Sequence, residues 1–338
     1  MKIAILGCGL CGLATAFHLS QCADTQITLF DKAPLGQNTS GIAAGLLHCY
    51  IGARGKANWM GIEGVNATKR LIHVAEGALG YPVAMNLGIF RPAITMDQQS
   101  DFQKAAKLYS HDIHWQTKIQ YDFHPSGIYS GIFLESGVLV DCPNYMKGLW
   151  KACSAASVQK IQTLVSSLSD LKDFDLIIVT AGAETLHLPE LSHLPLTPIK
   201  GQILEFNWQK EWGDLPHPVN SHAYLLKTGM QGIIGATFER EFVSPKPDRE
   251  FAALDLLPKI HQFFPGLSKN LLLDCRAGIR ASTPDHRPLL LQAAEKTWVL
   301  TGMGSKGLLY HALYAERLKK LFNIYASKET LANLNFFL

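Results

Sequence analysis

The polarity pattern of the first thirty residues switches from strand to helix and back. Lys2-Ile3-Ala4-Ile5-Leu6 reads as a short buried strand, and Leu10 to Leu19 carries apolar residues at helical intervals. Gln26-Ile27-Thr28-Leu29-Phe30 is a second strand that ends at Asp31. Asn58 to Leu79 is again helical in pattern, whereas short strand patterns dominate Gly88 to Phe133, among them Gly88 to Ala93. A helix is predicted over Asn144 to Ala155, after Asp141-Cys142-Pro143. Asp175 to Ala183 is nearly continuous in apolar residues, as expected of a parallel strand covered on both faces. The pattern then turns antiparallel, with strands predicted over Gly201 to Phe206, Ala223 to Lys227 and Gly232 to Phe238. Trp298 to Thr301 is a last strand, followed by the loop Gly302 to Gly307 and a helix running to Leu321.

The strand–turn–helix–strand order gives meaning to Gly7-Cys8-Gly9-Leu10-Cys11-Gly12, a G-x-G-x-x-G at the first turn. The first glycine makes the turn, the second lets backbone approach a pyrophosphate, and the third permits close helix–strand packing. The helix N-terminus adds partial positive charge. Asp31 follows about 20 residues on, where a carboxylate accepts both hydroxyls of an adenosine ribose. The segment therefore reads as a dinucleotide site. Cys8 and Cys11 also form a C-x-x-C, but both fill variable positions of the glycine motif, so small apolar filler is the preferred reading over a redox pair. Leu6-Gly7-Cys8 faintly resembles a lipoprotein cleavage site; cleavage there would discard the first strand and the loop, so export is not expected.

Nucleotide-type segments stand at the start, middle and end of the chain. The predicted fold is α/β: a discontinuous Rossmann-like unit with a parallel sheet, from residues 1–86, 137–200 and 270–338, and a mixed or antiparallel substrate domain, from 87–136 and 201–269. A length of 338 residues suits two domains. At 47% hydrophobic and 17% charged, the chain is a folded protein and not a disordered one. No apolar run approaches the ~18 residues of a membrane span. Seven scattered cysteines suit free thiols in a reducing cytoplasm. A net charge of +3 permits a polyanionic partner without arguing for one. The thirteen histidines show no metal-ligand spacing, and no metal is expected.

Seven pieces, in order along nearly the whole chain, resemble FAD-dependent oxidoreductases of the D-amino-acid oxidase, glycine oxidase and sarcosine oxidase type. Gly7, Gly9 and Gly12 with Ala16 are similar to that family's first motif, and Thr39-Ser40-Gly41-Ile42-Ala43-Ala44-Gly45-Leu46-Leu47 to its flavin-passing loop. Gly137-Val138-Leu139-Val140-Asp141 resembles the re-entry segment, Thr180-Ala181-Gly182-Ala183 the second FAD contact, and Lys200-Gly201-Gln202 the crossing into the substrate sheet. Gly235-Ala236-Thr237-Phe238-Glu239 is similar to G-A-T-x-E. Gly278-Ile279-Arg280 with Thr283-Pro284-Asp285 is similar to G-[LIV]-R-x-x-[ST]-P-D. Gly302-Met303-Gly304-Ser305-Lys306-Gly307-Leu308 further resembles the oxidase half of the bifunctional enzyme that makes 5-methylaminomethyl-2-thiouridine in tRNA. Cys49 after His48 departs from the proline usual there, and the methyltransferase half has no counterpart in these residues.

The resemblance implies non-covalent FAD, with neither Cys49 nor Cys275 at a known attachment position. It implies cofactor contacts from Gly7 to Gly12 (Cys8, Leu10 and Cys11 included), Asp31, Lys32, Thr39, Ser40, Ala44, Gly45 and Leu46. Further contacts are implied at Val165 through its backbone, Thr180, Ala181, Gly182, Gly278, Gly302, Gly304, Ser305, Lys306, Gly307 and Leu308. It also implies hydride transfer from an amine-bearing carbon to the flavin, which needs no strong general base if the amine binds neutral. Arg280 is implied as the fork that grips a substrate carboxylate, with Arg276 on the same strand face as the alternative. Lys306 either adds to negative-charge stabilisation at the flavin or is a solvated surface lysine. Tyr224 either caps the substrate or packs, and His48 either approaches the ring or is a core histidine bonded to backbone. Expected substrates are glycine, N-alkylglycines or D-amino acids. The alternatives are oxidative removal of a carboxymethyl group from a wobble uridine of tRNA, and a flavoprotein subunit without turnover.

Overall fold

The structure is a computed structural model that describes residues 1–326. Residues 327–338 of the predicted third nucleotide segment lie outside the described residues. In chain order the elements begin with β1 (Lys2–Leu6), α1 (Leu10–Leu19), β2 (Gln26–Asp31), β3 (Leu46–Leu47), α2 (Gly61–Leu79), β4 (Ala84–Met85), β5 (Ile89–Pro92) and α3 (Met96–Leu108). Next come β6 (Ile113–Tyr121), β7 (His124–Leu134), β8 (Val138–Val140), α4 (Cys142–Ala155), β9 (Gln159–Gln162), β10 (Leu176–Val179) and β11 (Thr197–Asn207). The remainder are β12 (Val219–Asn220), β13 (Tyr224–Thr228), β14 (Gln231–Gly235), α5 (Arg249–His261), β15 (Leu272–Ser282), β16 (Leu289–Ala294), β17 (Thr297–Thr301) and α6 (Gly307–Ala326).

A six-stranded sheet runs β16-β17-β10-β1-β2-β9, parallel except for the β16–β17 pair. Its central strands are apolar on both sides. Ile3, Ile5, Ile27, Leu29 and Ile178 meet α1, α2, α4 and α6 in one core cluster. The alternating Ala4, Leu6, Ile177, Val179 and Val299 face a second cluster with Leu188, Leu191 and Ala281. An eight-stranded sheet, β15-β11-β14-β13-β12-β5-β7-β6, is antiparallel except for β12 beside β5. One of its faces packs on α5 through Phe206, Trp208, Phe123 and Phe264. A small antiparallel sheet, β3-β8-β4, completes the fold. Among the described residues no helix is long and apolar enough to cross a membrane.

The predicted α/β class, with a parallel sheet and a second antiparallel one, is the observed one. Several boundaries differ. Segment 270–282, grouped above with the nucleotide unit, supplies β15 to the large sheet, where it pairs with β11 from Thr197↔Ser282 to Phe206↔Leu272. The expected strand ending at Ala183 stops at Val179, because Gly182 has a positive φ of 59° and starts a 3-10 turn. Helix α6 runs past Leu321 to Ala326. Helices α3 and α5 were not read from the pattern.

Candidate active site

The chain leaves β1 at Gly7, whose N–H donates to the Phe30 carbonyl (2.7 Å), and enters α1 at Leu10. Asp31, at the end of β2, accepts from the Cys8 N–H (2.7 Å) and the Ala33 N–H (2.9 Å), so one carboxylate fastens the glycine loop to its own turn. A Cβ on Gly12 would fall on the Gly7 carbonyl oxygen, so only glycine lets α1 approach the turn this closely. The Thr180 hydroxyl closes the loop from the neighbouring strand, donating between the carbonyls of Leu6 (2.8 Å) and Gly7 (3.0 Å). The Ser40 hydroxyl accepts from the Leu10 N–H at the start of α1 (3.2 Å), and Thr39 donates to the Ile279 carbonyl (3.1 Å).

These residues surround a cleft of about 570 Å³. Of the residues read from the sequence, Gly7, Gly9, Leu10, Cys11, Asp31, Lys32, Thr39, Ser40 and Val165 line it. So do Thr180, Ala181, Gly182, Gly278, Arg280, Gly302, Gly304 and Gly307. The N-terminus of α1, at Leu10 and Cys11, borders this space, and a helix N-terminus favours an anion. At the rim Lys32 pairs with Glu184. Burial pushes the Glu184 carboxyl up, but hydrogen bonds from Lys32 and His187 outweigh it and hold the pKa below the ordinary value.

Cys8 and Gly12 do not line the cleft; they build the loop behind it. Ala44, Gly45 and Leu46 lie off the cleft as well. Val140 donates its N–H to the Gly45 carbonyl (2.9 Å), and Leu46 pairs with Leu139 in the small sheet. Ser305, Lys306 and Leu308 do not line the cleft, and the Lys306 ammonium donates to the His286 carbonyl (2.9 Å). Gln37, Asn38, Ile42, Thr163, Met303 and Pro245 line the cleft and were missed. Gln37 and Asn38 adjoin the Thr39-Ser40 pair in sequence, whereas Pro245 comes from a long connection with no local motif.

The large sheet carries the second half of the site. Arg280 on β15 lies opposite Ile199 of β11, and its guanidinium crosses over Gly201, whose missing side chain leaves the room: a Cβ there would lie 2.5 Å from Arg280 Cζ. On the next strands Gly235 faces Tyr224, and a Cβ on Gly235 would lie 2.5 Å from the phenol oxygen. Each glycine thus leaves room for the side chain lying over it; of the two, Arg280 lines the cleft and Tyr224 does not. Among the described residues the Arg280 guanidinium has no hydrogen-bond or ion-pair partner. Burial pulls its pKa down, against Tyr224 and Glu239, which pull it up. The Tyr224 phenol is pushed up by burial and stays protonated.

Arg276, four pairs along β15, is spoken for: it forms an ion pair with Glu205, which also accepts from Gln231 Nε2 (2.6 Å). His48 is buried and outside the cleft. Its Nδ1 accepts from the Tyr50 N–H (3.2 Å), its Nε2 meets the Asn220 amide (3.2 Å), and burial lowers its pKa to about 3. It is a neutral core histidine linking the small sheet's loop to β12. Cys49 and Cys275 are buried, and burial pushes both thiols up to about 11. Among the described residues no group of His, Cys, Asp and Glu is placed to hold a metal ion.

The model of the FAD-dependent oxidoreductase family matches residues 2–321. The chain belongs to this family. The cradle suits the family's cofactor: side-chain-free backbone at Gly7 and Gly9, a helix N-terminus facing the cleft, and Asp31 at its wall. Among relatives of this FAD-dependent oxidoreductase, the tRNA 5-methylaminomethyl-2-thiouridine biosynthesis bifunctional protein MnmC of Polaromonas naphthalenivorans is 31% identical over 185 residues. That match covers 46% of this chain and 28% of that protein. MnmC of Marinobacter nauticus is 24% identical over 364 residues, 94% of this chain but 54% of its own length, so the chain spans about half of it or less. The uncharacterized oxidoreductase YurR of Bacillus subtilis is 23% identical over 94% of this chain and 93% of its own. In fold, the chain is similar to glycine oxidase from Geobacillus kaustophilus (TM-score 0.80, 18% identity, covering 98% and 96% of the two chains). It is also similar to iminodiacetate oxidase from Chelativorans (TM-score 0.75, 19% identity, 95% of each).

Proposed function

We propose that this FAD-dependent oxidoreductase oxidises the carbon–nitrogen bond of a small amine-bearing carboxylate: glycine, an N-alkylglycine or a D-amino acid. The observation that carries the reading is the partnerless Arg280 guanidinium, half-buried over Gly201 at the wall of the cofactor cleft. A cation partly withdrawn from water without a counterion carries a desolvation cost, and a substrate carboxylate gripped by two parallel N–H···O bonds would supply the missing charge. FAD, when held in the cleft without a covalent link, would supply the hydride acceptor. Arg280 orients the substrate by its acid group, with the protonated Tyr224 phenol beside it as a further donor. His48, neutral and already bonded on both ring nitrogens, moves no proton. The glycine oxidase and iminodiacetate oxidase folds support the same substrate class. The test is anaerobic mixing with glycine, sarcosine or D-alanine, followed by visible absorbance. Bleaching is expected in the wild type and near loss of it in Arg280→Ala at unchanged FAD content; an Arg280→Ala protein that loses FAD instead refutes the assignment.

A second reading, oxidative removal of a carboxymethyl group from a tRNA wobble uridine, is favoured by the MnmC relative that aligns with 94% of this chain. That modification presents the same glycine-like end, so Arg280 serves either substrate. Glyoxylate released from undermodified tRNA, without bleaching by free glycine or sarcosine, selects this second reading.

A further inference from the structure

Lys200-Gly201-Gln202 of β11 and Thr237-Phe238-Glu239 come together beyond the end of β14. Lys200, Gln202, Thr237 and Glu239 do not line the cleft. Lys200 and Glu239 exchange two backbone hydrogen bonds, both at 2.9 Å. Their side chains form an ion pair, Nζ to Oε2 at 3.7 Å, with only 4% and 9% of the two exposed. The Glu239 carboxylate also accepts from Gln202 Nε2 (2.9 Å) and from the Thr237 hydroxyl. Thr237 Oγ1 accepts from the Gln202 N–H (2.9 Å), and Gln202 Oε1 accepts from the Asp248 N–H (2.6 Å). The hydrogen bonds to this carboxylate thus come from neutral groups. Lys200 is its one ion-pair partner among the described residues.

In β11 Lys200 stands between Ile199, the partner of Arg280, and Gly201, over which the guanidinium lies. Side chains alternate along a strand, so Lys200 and its bridge partner Glu239 lie on the face away from Arg280. Charge still acts across the sheet: Glu239 is one of the two groups that hold the Arg280 pKa up against burial. Uncancelled, a carboxylate there would offset part of the guanidinium's charge and repel an incoming acid group. We propose that Lys200 is a positioning residue for the anion site: by cancelling the charge of Glu239 behind the sheet, it leaves the full charge of Arg280 to the substrate carboxylate. The inference rests on the reading of Arg280 as the carboxylate anchor. Stability alone does not account for the pair, since apolar residues of similar volume often replace a buried ion pair without loss.

The probe is methoxyacetate, which has the shape of sarcosine with an ether oxygen in place of the amine. Its Kd is read from the perturbed flavin spectrum of the FAD-loaded full chain, and that spectrum also reports that each variant is folded. Lys200→Met weakens binding by about tenfold, the scale of one unit charge acting across a sheet at an effective dielectric of about 20. Glu239→Gln, which keeps the Oε1 acceptor, tightens it, because Lys200 then stands uncancelled. The double variant Lys200→Met/Glu239→Gln returns to the wild-type Kd, and Lys200→Arg keeps it. Methoxyacetamide, which lacks the acid, binds all of these variants alike. A network that only holds the sheet in shape would weaken binding in both single variants and for both ligands. Unchanged affinity in Lys200→Met, weaker binding in Glu239→Gln, or a double variant no better than Lys200→Met overturns the inference. If binding is still lost in Arg280→Ala, those outcomes leave the proposed function standing; methoxyacetate binding indifferent to Arg280→Ala overturns both. Should Lys200→Met hold no flavin, Glu239→Gln decides: tighter binding upholds the inference, and equal or weaker binding overturns it.

Discussion

Gly201→Ala separates the anion anchor from the stability of the sheet. The added Cβ would stand 2.5 Å from Arg280 Cζ and 2.9 Å from its Nε, where carbon contacts settle at about 3.5–4.0 Å. The guanidinium must therefore withdraw by about 1 Å or more, and a flexible arginine end can do so without moving β11. A misplacement of this size costs up to about 100-fold in a positioned reaction. Loss of a charged hydrogen bond alone costs about 1.5–3 kcal/mol, or ten- to more than 100-fold in kcat/KM. Steady-state oxidation of acidic substrates should thus fall by about 10- to 100-fold, while thermal unfolding of the FAD-loaded protein changes little. The double variant Gly201→Ala/Arg280→Ala should be no worse than Arg280→Ala, because both remove the same contact. Unchanged kcat/KM in Gly201→Ala, or full additivity in the double variant, would refute the reasoning.

Arg280→Lys should recover little of the activity lost in Arg280→Ala, since an ammonium cannot reproduce the two-pronged grip; equal kinetics for lysine and arginine would exclude that grip. Asp31→Ala removes the acceptor of two loop N–H groups, so bound FAD should fall on dilution and gel filtration while the apoprotein stays folded. Arg276→Ala strands Glu205 in the sheet and should cost about 1–3 kcal/mol by denaturant melting, the partial exposure of Arg276 reducing the figure, with substrate kinetics little changed. His311 is fully buried; its Nδ1 faces the carbonyls of Gly307 and Leu308, its Nε2 meets the Tyr145 hydroxyl (2.8 Å), and burial lowers its pKa to about 4. Because the unfolded chain takes up this proton first, stability is full above about pH 6.5 and falls as pH drops toward 4, by about 1.4 kcal/mol per unit for this residue. Melting curves of His311→Gln should show a shallower acid slope than the wild type, and an identical slope would exclude this source.

The nucleotide unit was legible because its signals are local: a strand, a turn that needs glycine, a helix and a carboxylate lie within 31 residues. Arg280 stands out in its motif, but its lack of a hydrogen-bond or ion-pair partner among the described residues does not, since that depends on the nearby Glu239 being engaged by Lys200, Gln202 and Thr237. Lys306 and the Ala44–Leu46 loop look like cofactor residues in sequence. Long-range pairing, with the His286 carbonyl for one and β8 for the other, leaves both off the cleft lining, which local sequence does not reveal. Helix α3 leaves no clear stripe in the sequence because it buries only Phe102 and Ala105, and α5 because Pro258 interrupts its pattern.

Strand β15 sets a gauge. Gly278 rests against Thr39 at the cofactor wall, and Arg280 stands two residues further along the same strand, a step of about 6.7 Å. The ladder to β11 prevents that strand from sliding. On the proposed reading the reach from acid group to reacting carbon would therefore be calibrated by main chain, so that inserting a methylene between them would shift the carbon out of line instead of shifting the protein.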